Sequence, residues 1–395
     1  MRKKKGVTIA VIVLCVFMVF ALSGCLGGRE INDLEIVIGM GVDKDEKTGN
    51  ILLTAQIVKE QAVGRSSGGS GGGGDEKAFW NVSSTGESIF EAVRQLTHKT
   101  GNRLFVSHNQ VVIFGNDVAA EGLQSYIDFF LRAREMRPTV LILVAEGRAS
   151  DVMDAKPDTE KFPAMNIAKL VKTYGYTSHL YKVNMKDFSE CLMCSEKASF
   201  APLITVSDNE GSKDVFVPGM AVFKNGKMVG KLGHGEVRGV LWVLGKVKSG
   251  VITVPSPDGG GKAILEIIEA KSKAIPEIID GKIIIHVMVE VELSLSEQTT
   301  AENLATVPAF GKIQDASEEV VRKEIMAAFK KTSELKADIF GFSEMLYKKY
   351  SKEWKSMKDN WDDIYPTIEL DIDVASRVVT TNLLRNPASP KEGEK

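Results

Sequence analysis

The sequence predicts an α+β chain: a mixed α/β, multi-domain arrangement of about three domains, with mixed sheets flanked by helices. Three observations predict it. Segments with two-residue apolar alternation and segments with helical spacing alternate through the first half. Long alternating strands and one long amphipathic helix dominate the second half. The chain has 395 residues, 44% of them hydrophobic, which is enough for two or three cores.

The amino terminus comes first. Arg2, Lys3, Lys4 and Lys5 form a positive region, and Val7 to Leu22 form a short apolar run. A transmembrane helix usually needs ~20 apolar residues. Leu22-Ser23-Gly24-Cys25 then has small residues before a cysteine. That order predicts a signal peptide over residues 1–24, cleavage behind Gly24 and lipidation of Cys25. The thiol takes up a diacylglyceryl group, and the new amino terminus offers a site for a further acyl chain such as palmitate. Two chains suffice for stable anchoring. The alternative is an uncleaved signal anchor. In both cases the rest of the chain is expected outside the cytoplasm, against the membrane.

Glu35 to Val42 and Ile51 to Glu60 read as a hairpin across the turn Asp45–Asn50. Residues 64–74 are almost pure glycine and serine and read as a flexible loop. Lys77 to Ser83 resumes as a strand. Ser84-Thr85-Gly86-Glu87 has the form of a capping box, opening a helix with Ile89, Val93 and Leu96 on one face. Leu104 to Phe114 reads as one strand, Asn116 to Glu135 as one helix, and Pro138 to Ala145 as a strand. Helices follow at Ser150–Ala155, Pro163–Tyr174 and Lys186–Cys194. These elements form an expected first domain, residues 25–198.

The second domain is expected over residues 199–386, with a further division at 258–262. Asn225-Gly226 between apolar runs Val215–Phe223 and Lys227–Leu232 is a strong hairpin signal. Val240 to Leu244 reads as a helix or turn, and Ser256 to Gly261 as a loop. Ala263–Ala270 and Lys282–Leu295 read as strands. In the latter, Ile285, Val287, Val289, Val291 and Leu293 share one face. Ser317 to Phe340 reads as a long helix with Val321, Ile325, Ala328, Leu335 and Ile339 as its buried stripe. Trp354 and Trp361, seven apart, fall on one helical face, and Thr367 to Val379 reads as a strand. Residues 387–395 read as a disordered tail.

Formal net charge is -2, and removing residues 1–24, with four positive charges and no negative ones, leaves -6. An acidic chain without a long basic run argues against nucleic acid. Of four cysteines, Cys15 leaves with the signal and Cys25 is lipidated, leaving Cys191 and Cys194. Their C-x-x-C spacing suits a redox pair, but acidic Glu190 and Glu196 raise thiol pKa, so packing or a passive disulfide is expected. Zinc needs two more ligands, and only His179 is near in sequence. His98, His108, His179, His234 and His286 form no metal spacing. Gly39-Met40-Gly41 lacks the third glycine of a dinucleotide fingerprint and reads as a bend at a strand end. Pro257 to Ala263 lacks the spacing of a phosphate loop. The two tryptophans fit a core better than a binding platform. Arg132-Ala133-Arg134-Glu135-Met136-Arg137 reads as a basic contact patch or a solvated helix end. No catalytic signature, cofactor motif or metal site emerges.

Cys25, the stretch Arg29 to Leu34 and Ile38-Gly39-Met40-Gly41-Val42-Asp43 together resemble the amino end of the Ger(x)C family. The likeness continues through Ser107 to Gly115, Arg132 to Arg137, Gly219 to Gly230, Glu236 and Gly239. It is most distinctive at Asp338-Ile339-Phe340-Gly341-Phe342, followed by Trp354 and Trp361. Ser343 and Ser351 depart from the family's pattern, as does the ending after Val378-Val379-Thr380-Thr381. The resemblance implies a non-enzymatic lipoprotein C subunit of a nutrient germinant receptor. It would sit on the outer face of the inner spore membrane, beside integral membrane A and B subunits, without cofactor or metal. The alternative is a solute-binding lipoprotein of an importer, which calls for two similar lobes around a cleft. A thiol enzyme using Cys191 and Cys194 is a third reading.

Overall fold

A computed structural model of the chain describes residues 34–59, 77–155, 160–193, 197–209 and 212–382. The expected signal peptide, Cys25, the 64–74 loop, Cys194 and the 387–395 tail lie outside the described residues. The fold is mixed α/β, with two sheets flanked by helices, as the sequence predicts.

The first sheet is built around β1 (Leu34–Lys44), whose residues Val37 to Asp43 are all buried. It pairs antiparallel with β2 (Ile51–Val58), and β2 with β3 (Phe79–Gly86). Asp45 closes the β1–β2 turn by accepting from the Thr48 N–H at 3.0 Å and the Thr48 hydroxyl at 2.6 Å. On its other side β1 runs parallel to β4 (Arg103–Phe105) and β5 (Val111–Phe114). Next come β6 (Leu141–Ala145) and β7 (Ser199–Asn209), both parallel, and then antiparallel β9 (Gly219–Lys224) and β10 (Lys227–Gly233). The strand order is β10-β9-β7-β6-β5-β1-β2-β3, with β8 (Ser212–Phe216) on β7. This sheet runs past residue 198, where the sequence places the end of the first domain.

Gly39 and Gly41 lie inside β1, not at its end. A Cβ on Gly39 would stand 2.6 Å from Ala164 Cβ, and one on Gly41 3.2 Å from Ala149 Cβ. The glycines therefore let two helices, Ala149–Met153 and Pro163–Lys172, press onto the central strand.

Several expected elements are divided or shifted. Ser84 remains in β3, because β2–β3 pairing continues to Ile51↔Gly86. The helix is capped four residues on: Ser88 Oγ accepts from Glu91 N–H, and the Glu91 carboxylate accepts from the Glu87 N–H. That cap opens α1 (Ile89–Thr100). The expected strand 104–114 is two strands separated by a loop. The expected helix 116–135 breaks at Gly122, φ 128°, into α2 (Asn116–Glu121) and α3 (Gln124–Arg132). The expected helix at Lys186 is Met185–Leu192, capped by Asn184. Val215–Phe223 divides into β8 and β9, and Asn225-Gly226 makes the expected turn with φ of 49° and 76°.

The second sheet has the order β11 (Val251–Pro255), β12 (Lys262–Ile279), β13 (Lys282–Gln298) and β14 (Glu369–Thr380). β12 and β13 join at Asp280-Gly281, φ 51° and 80°. One face packs on the long helix Val307–Glu334, which starts ten residues before the expected Ser317. Thr306 caps it, and it stops where Lys336 turns left-handed at φ 49°. Val321, Ile325 and Ala328 are its buried stripe, while Leu335 and Ile339 lie beyond its end.

That helix also closes the sheet edge. Gln314, Glu318 and Arg322, four residues apart, face the open side of β14. Gln314 accepts from Val378 N–H at 3.0 Å and Glu318 from Ser376 N–H at 2.9 Å, while Arg322 donates to Ile372 C=O. Three backbone groups of an edge that would invite pairing are thereby satisfied within the chain.

Candidate functional site

The motif Asp338 to Phe342 is a structural device. Burial raises the Asp338 pKa, and its carboxylate accepts from the Phe342 N–H at 3.0 Å and the Ser343 N–H at 2.8 Å. It thereby caps the helix Phe342–Lys349, with Gly341 at φ 72° supplying the turn. Phe340 and Phe342 stack at 5.0 Å and pack with Phe329 and Tyr365. Trp354 and Trp361 belong to two short helices rather than one, Ser351–Met357 and Trp361–Ile364. Their rings still meet edge-on at 5.1 Å, and each is 5% exposed. They are core, not a binding platform.

A buried polar cluster joins the two sheets. Helix His234–Val243 crosses helix Val307–Glu334 at Gly239, where a Cβ would stand 2.1 Å from the Glu324 carbonyl oxygen. Beside that crossing Arg238 clasps Glu324 through two bonds, of 2.8 and 2.5 Å. Trp242 Nε1–H donates to Glu324 at 2.9 Å, and Arg238 donates to the Val251 carbonyl of β11 at 2.8 Å. His179 and His234 stack at 5.0 Å, 55 residues apart in sequence. Burial, then the charge of Arg238, holds the His179 pKa below its usual value. His286 sits between Asp371 and Glu277, each at 2.8 Å, and these carboxylates raise its pKa.

Cys191 is half-buried on the helix Met185–Leu192. Among the described residues, no group of three or more His, Cys, Asp or Glu side chains is placed to hold a metal. No described helix is long and apolar enough to cross a membrane.

A groove between α1 and α3 has a volume of about 870 Å³. Pockets of ~300–1,000 Å³ suit small ligands and side chains of a partner. Phe90 and Phe129 both line it, their rings tilted against each other with centroids 6.4 Å apart, and Phe90 is 56% exposed. The Arg94 guanidinium lies 5.0 Å over Phe90. At one end Lys44 pairs with Glu121 at 2.8 Å, and Tyr126 donates to the same carboxylate at 3.2 Å. Hydrogen bonding to Glu121 raises the Lys44 pKa, and hydrogen bonding to Lys44 lowers that of Glu121. At the other end Arg103 pairs with Glu135 at 2.5 Å, and Arg132 pairs with Asp128 at 2.7 Å. Arg132, Ala133, Arg134 and Glu135 of the expected patch rim the groove.

Comparison with known proteins adds the following. Residues 27–206 match the family described as "Spore germination protein N-terminal domain". Residues 218–382 match "Spore germination B3/ GerAC like, C-terminal". Spore germination protein KC of Bacillus subtilis (strain 168) is 28% identical, covering 95% of this chain and 96% of its own. Spore germination protein B3 of the same organism is 24% identical over 92% of this chain and 95% of its own. The crystal structure of the GerBC protein superposes with a TM-score of 0.57 at 20% identity, covering 86% of this chain and 97% of that one. At that identity the last likeness speaks for the fold.

Proposed function

We propose, because this chain belongs to the GerAC-like spore germination family, that it is the C subunit of a spore nutrient germinant receptor. The observation that carries the reading is the ordered match of both family domains across residues 27–206 and 218–382. Relatives similar along nearly their whole length are named as spore germination proteins.

In this reading residues 1–24 are removed and Cys25 is acylated. The chain is then held by lipid at the outer face of the inner spore membrane. The domains are 25–198 and 199–386, the latter divided near 258–262, with β7 to β10 of the second part completing the first sheet. Its partners are the integral membrane A and B subunits, and its work is assembly rather than catalysis. Tethering supports this by raising the effective concentration of partners that share the membrane. The groove between α1 and α3 is the proposed contact with a membrane subunit. An importer's binding protein would present two similar lobes, whereas among the described residues one sheet has ten strands and the other four.

Cys25→Ala in spores lacking redundant receptors tests the proposal. The expected result is a chain that is unprocessed or released from the membrane, with slowed nutrient germination. Unchanged germination and membrane recovery would sink it.

A further inference from the structure

The chain leaves the first sheet toward Cys25 at the start of β1. Eight residues separate Cys25 from Leu34, nine positions on. They can span at most about 30 Å. Whatever surface lies at that end of the sheet is therefore kept near the membrane, if Cys25 carries lipid as proposed above.

Pairing identifies that end. Leu34 is opposite Arg103 in the parallel β1–β4 ladder. The Arg103–Glu135 ion pair brings the segment 134–137 to the same place. Arg137 also accepts through its carbonyl from Val140 N–H, just before β6, whose first residue Leu141 pairs with Val111. Lys77 precedes β3, where Phe79 pairs with Val58 and the next pair on that side is Ile57↔Val37.

Lys77, Arg103, Arg134 and Arg137 are all exposed. Against them stand Glu135, paired with Arg103, and Glu35, which accepts from Asn102 at 3.3 Å. Among the described residues no carboxylate forms an ion pair with Lys77, Arg134 or Arg137. Among the described residues this end is thus locally basic at Arg134 and Arg137, which lie far in sequence from Glu30, Asp33, Glu60, Asp75 and Glu76, the carboxylates that border Leu34, Lys59 and Lys77.

We infer that this end of the sheet rests on anionic lipid headgroups, with Arg134 and Arg137 as its principal contacts. The acyl chains hold the protein to the membrane, and the arginines set which side faces it. Basic residues beside an anionic leaflet attract it within a Debye length and lose that attraction in salt. An oriented ectodomain presents the groove between α1 and α3 at a fixed height to partners in the same membrane.

The test uses the mature full chain with Cys25→Ser, so that no acyl chain contributes. Vesicles of phosphatidylcholine, with or without phosphatidylglycerol, are sedimented with it at low and high salt. Binding to the phosphatidylglycerol vesicles is expected, falling as salt rises. R134E/R137E should weaken it by more than about tenfold, whereas K323E on the exposed face of the long helix should not. Equal thermal midpoints of the variants establish that folding is intact. Equal binding to both vesicle types overturns the inference, as does full binding by R134E/R137E. Loss of Cys25 acylation would defeat the anchor reading alone, because this assay contains no acylated chain.

Discussion

Glu324→Ala tests the junction between the two sheets. Arg238 is 7% and Glu324 15% exposed at their side chains, so both charges are largely out of water. Removing the carboxylate strands the guanidinium, which keeps only its bond to the Val251 carbonyl, and strands the Trp242 N–H. Breaking a buried pair on one side costs about 3–5 kcal/mol. At about 2 °C per kcal/mol for a large domain, the melting midpoint should fall by at least ~6 °C. Replacing both partners, as R238M/E324L, removes the charges together. The remaining loss should be about 1–3 kcal/mol, from the unpaired indole N–H. Differential scanning calorimetry of wild type, E324L, R238M and the double variant forms the cycle, with E324A measured beside them. A fall under ~2 °C for E324A would refute the reasoning. So would a double variant that loses the sum of the two singles, because the pair would then have no coupling.

The remaining predictions concern titrating groups and caps. His179 has a folded pKa below the usual 6.5. As pH falls past 6.5 the unfolded chain binds a proton that the folded chain refuses, so stability is lost toward acid. His179→Phe should flatten the acid side of a midpoint-versus-pH curve, and an unchanged slope would refute this. His286 has the opposite sign: its raised pKa gives stability that is complete below 6.5 and fades as pH rises through the folded value. His286→Gln should remove that fading. Asp338→Ala removes the carboxylate that accepts from the Phe342 and Ser343 N–H groups and should cost about 1–2 kcal/mol in denaturant unfolding. Asp338→Asn should recover part of that loss, and a neutral Asp338→Ala would show that the carboxylate is not the cap.

Local chemistry was legible where the sequence repeats at short range. The alternation along β13, the Asn225-Gly226 turn and the stripe of the long helix all follow from neighbours in sequence. β12 outran its expected end at Ala270 because its pairing with β13 continues to Ile279↔Lys282. That part of the strand carries Lys271, Ser272 and Lys273, which hide an apolar period. Its true end was marked by Asp280-Gly281, the same kind of turn signal. The break at Gly122 and the start at Thr306-Val307-Pro308 were also written locally, in a positive φ and a cap with proline. The Arg238–Glu324 pair spans 86 residues and the stacked histidines 55, so no local pattern announces them. The groove has the same cause: Phe90 and Phe129 come from different helices, brought together by the sheet beneath them.

The central claim is that this chain works as a tethered subunit within a membrane assembly. The most direct measurement is affinity capture of the tagged chain from detergent-solubilised spore membranes, followed by mass spectrometry of the chain and whatever accompanies it. The account predicts two integral membrane proteins in stable proportion with a chain that begins at acylated Cys25. Recovery of the chain alone, with an unmodified cysteine, would contradict it.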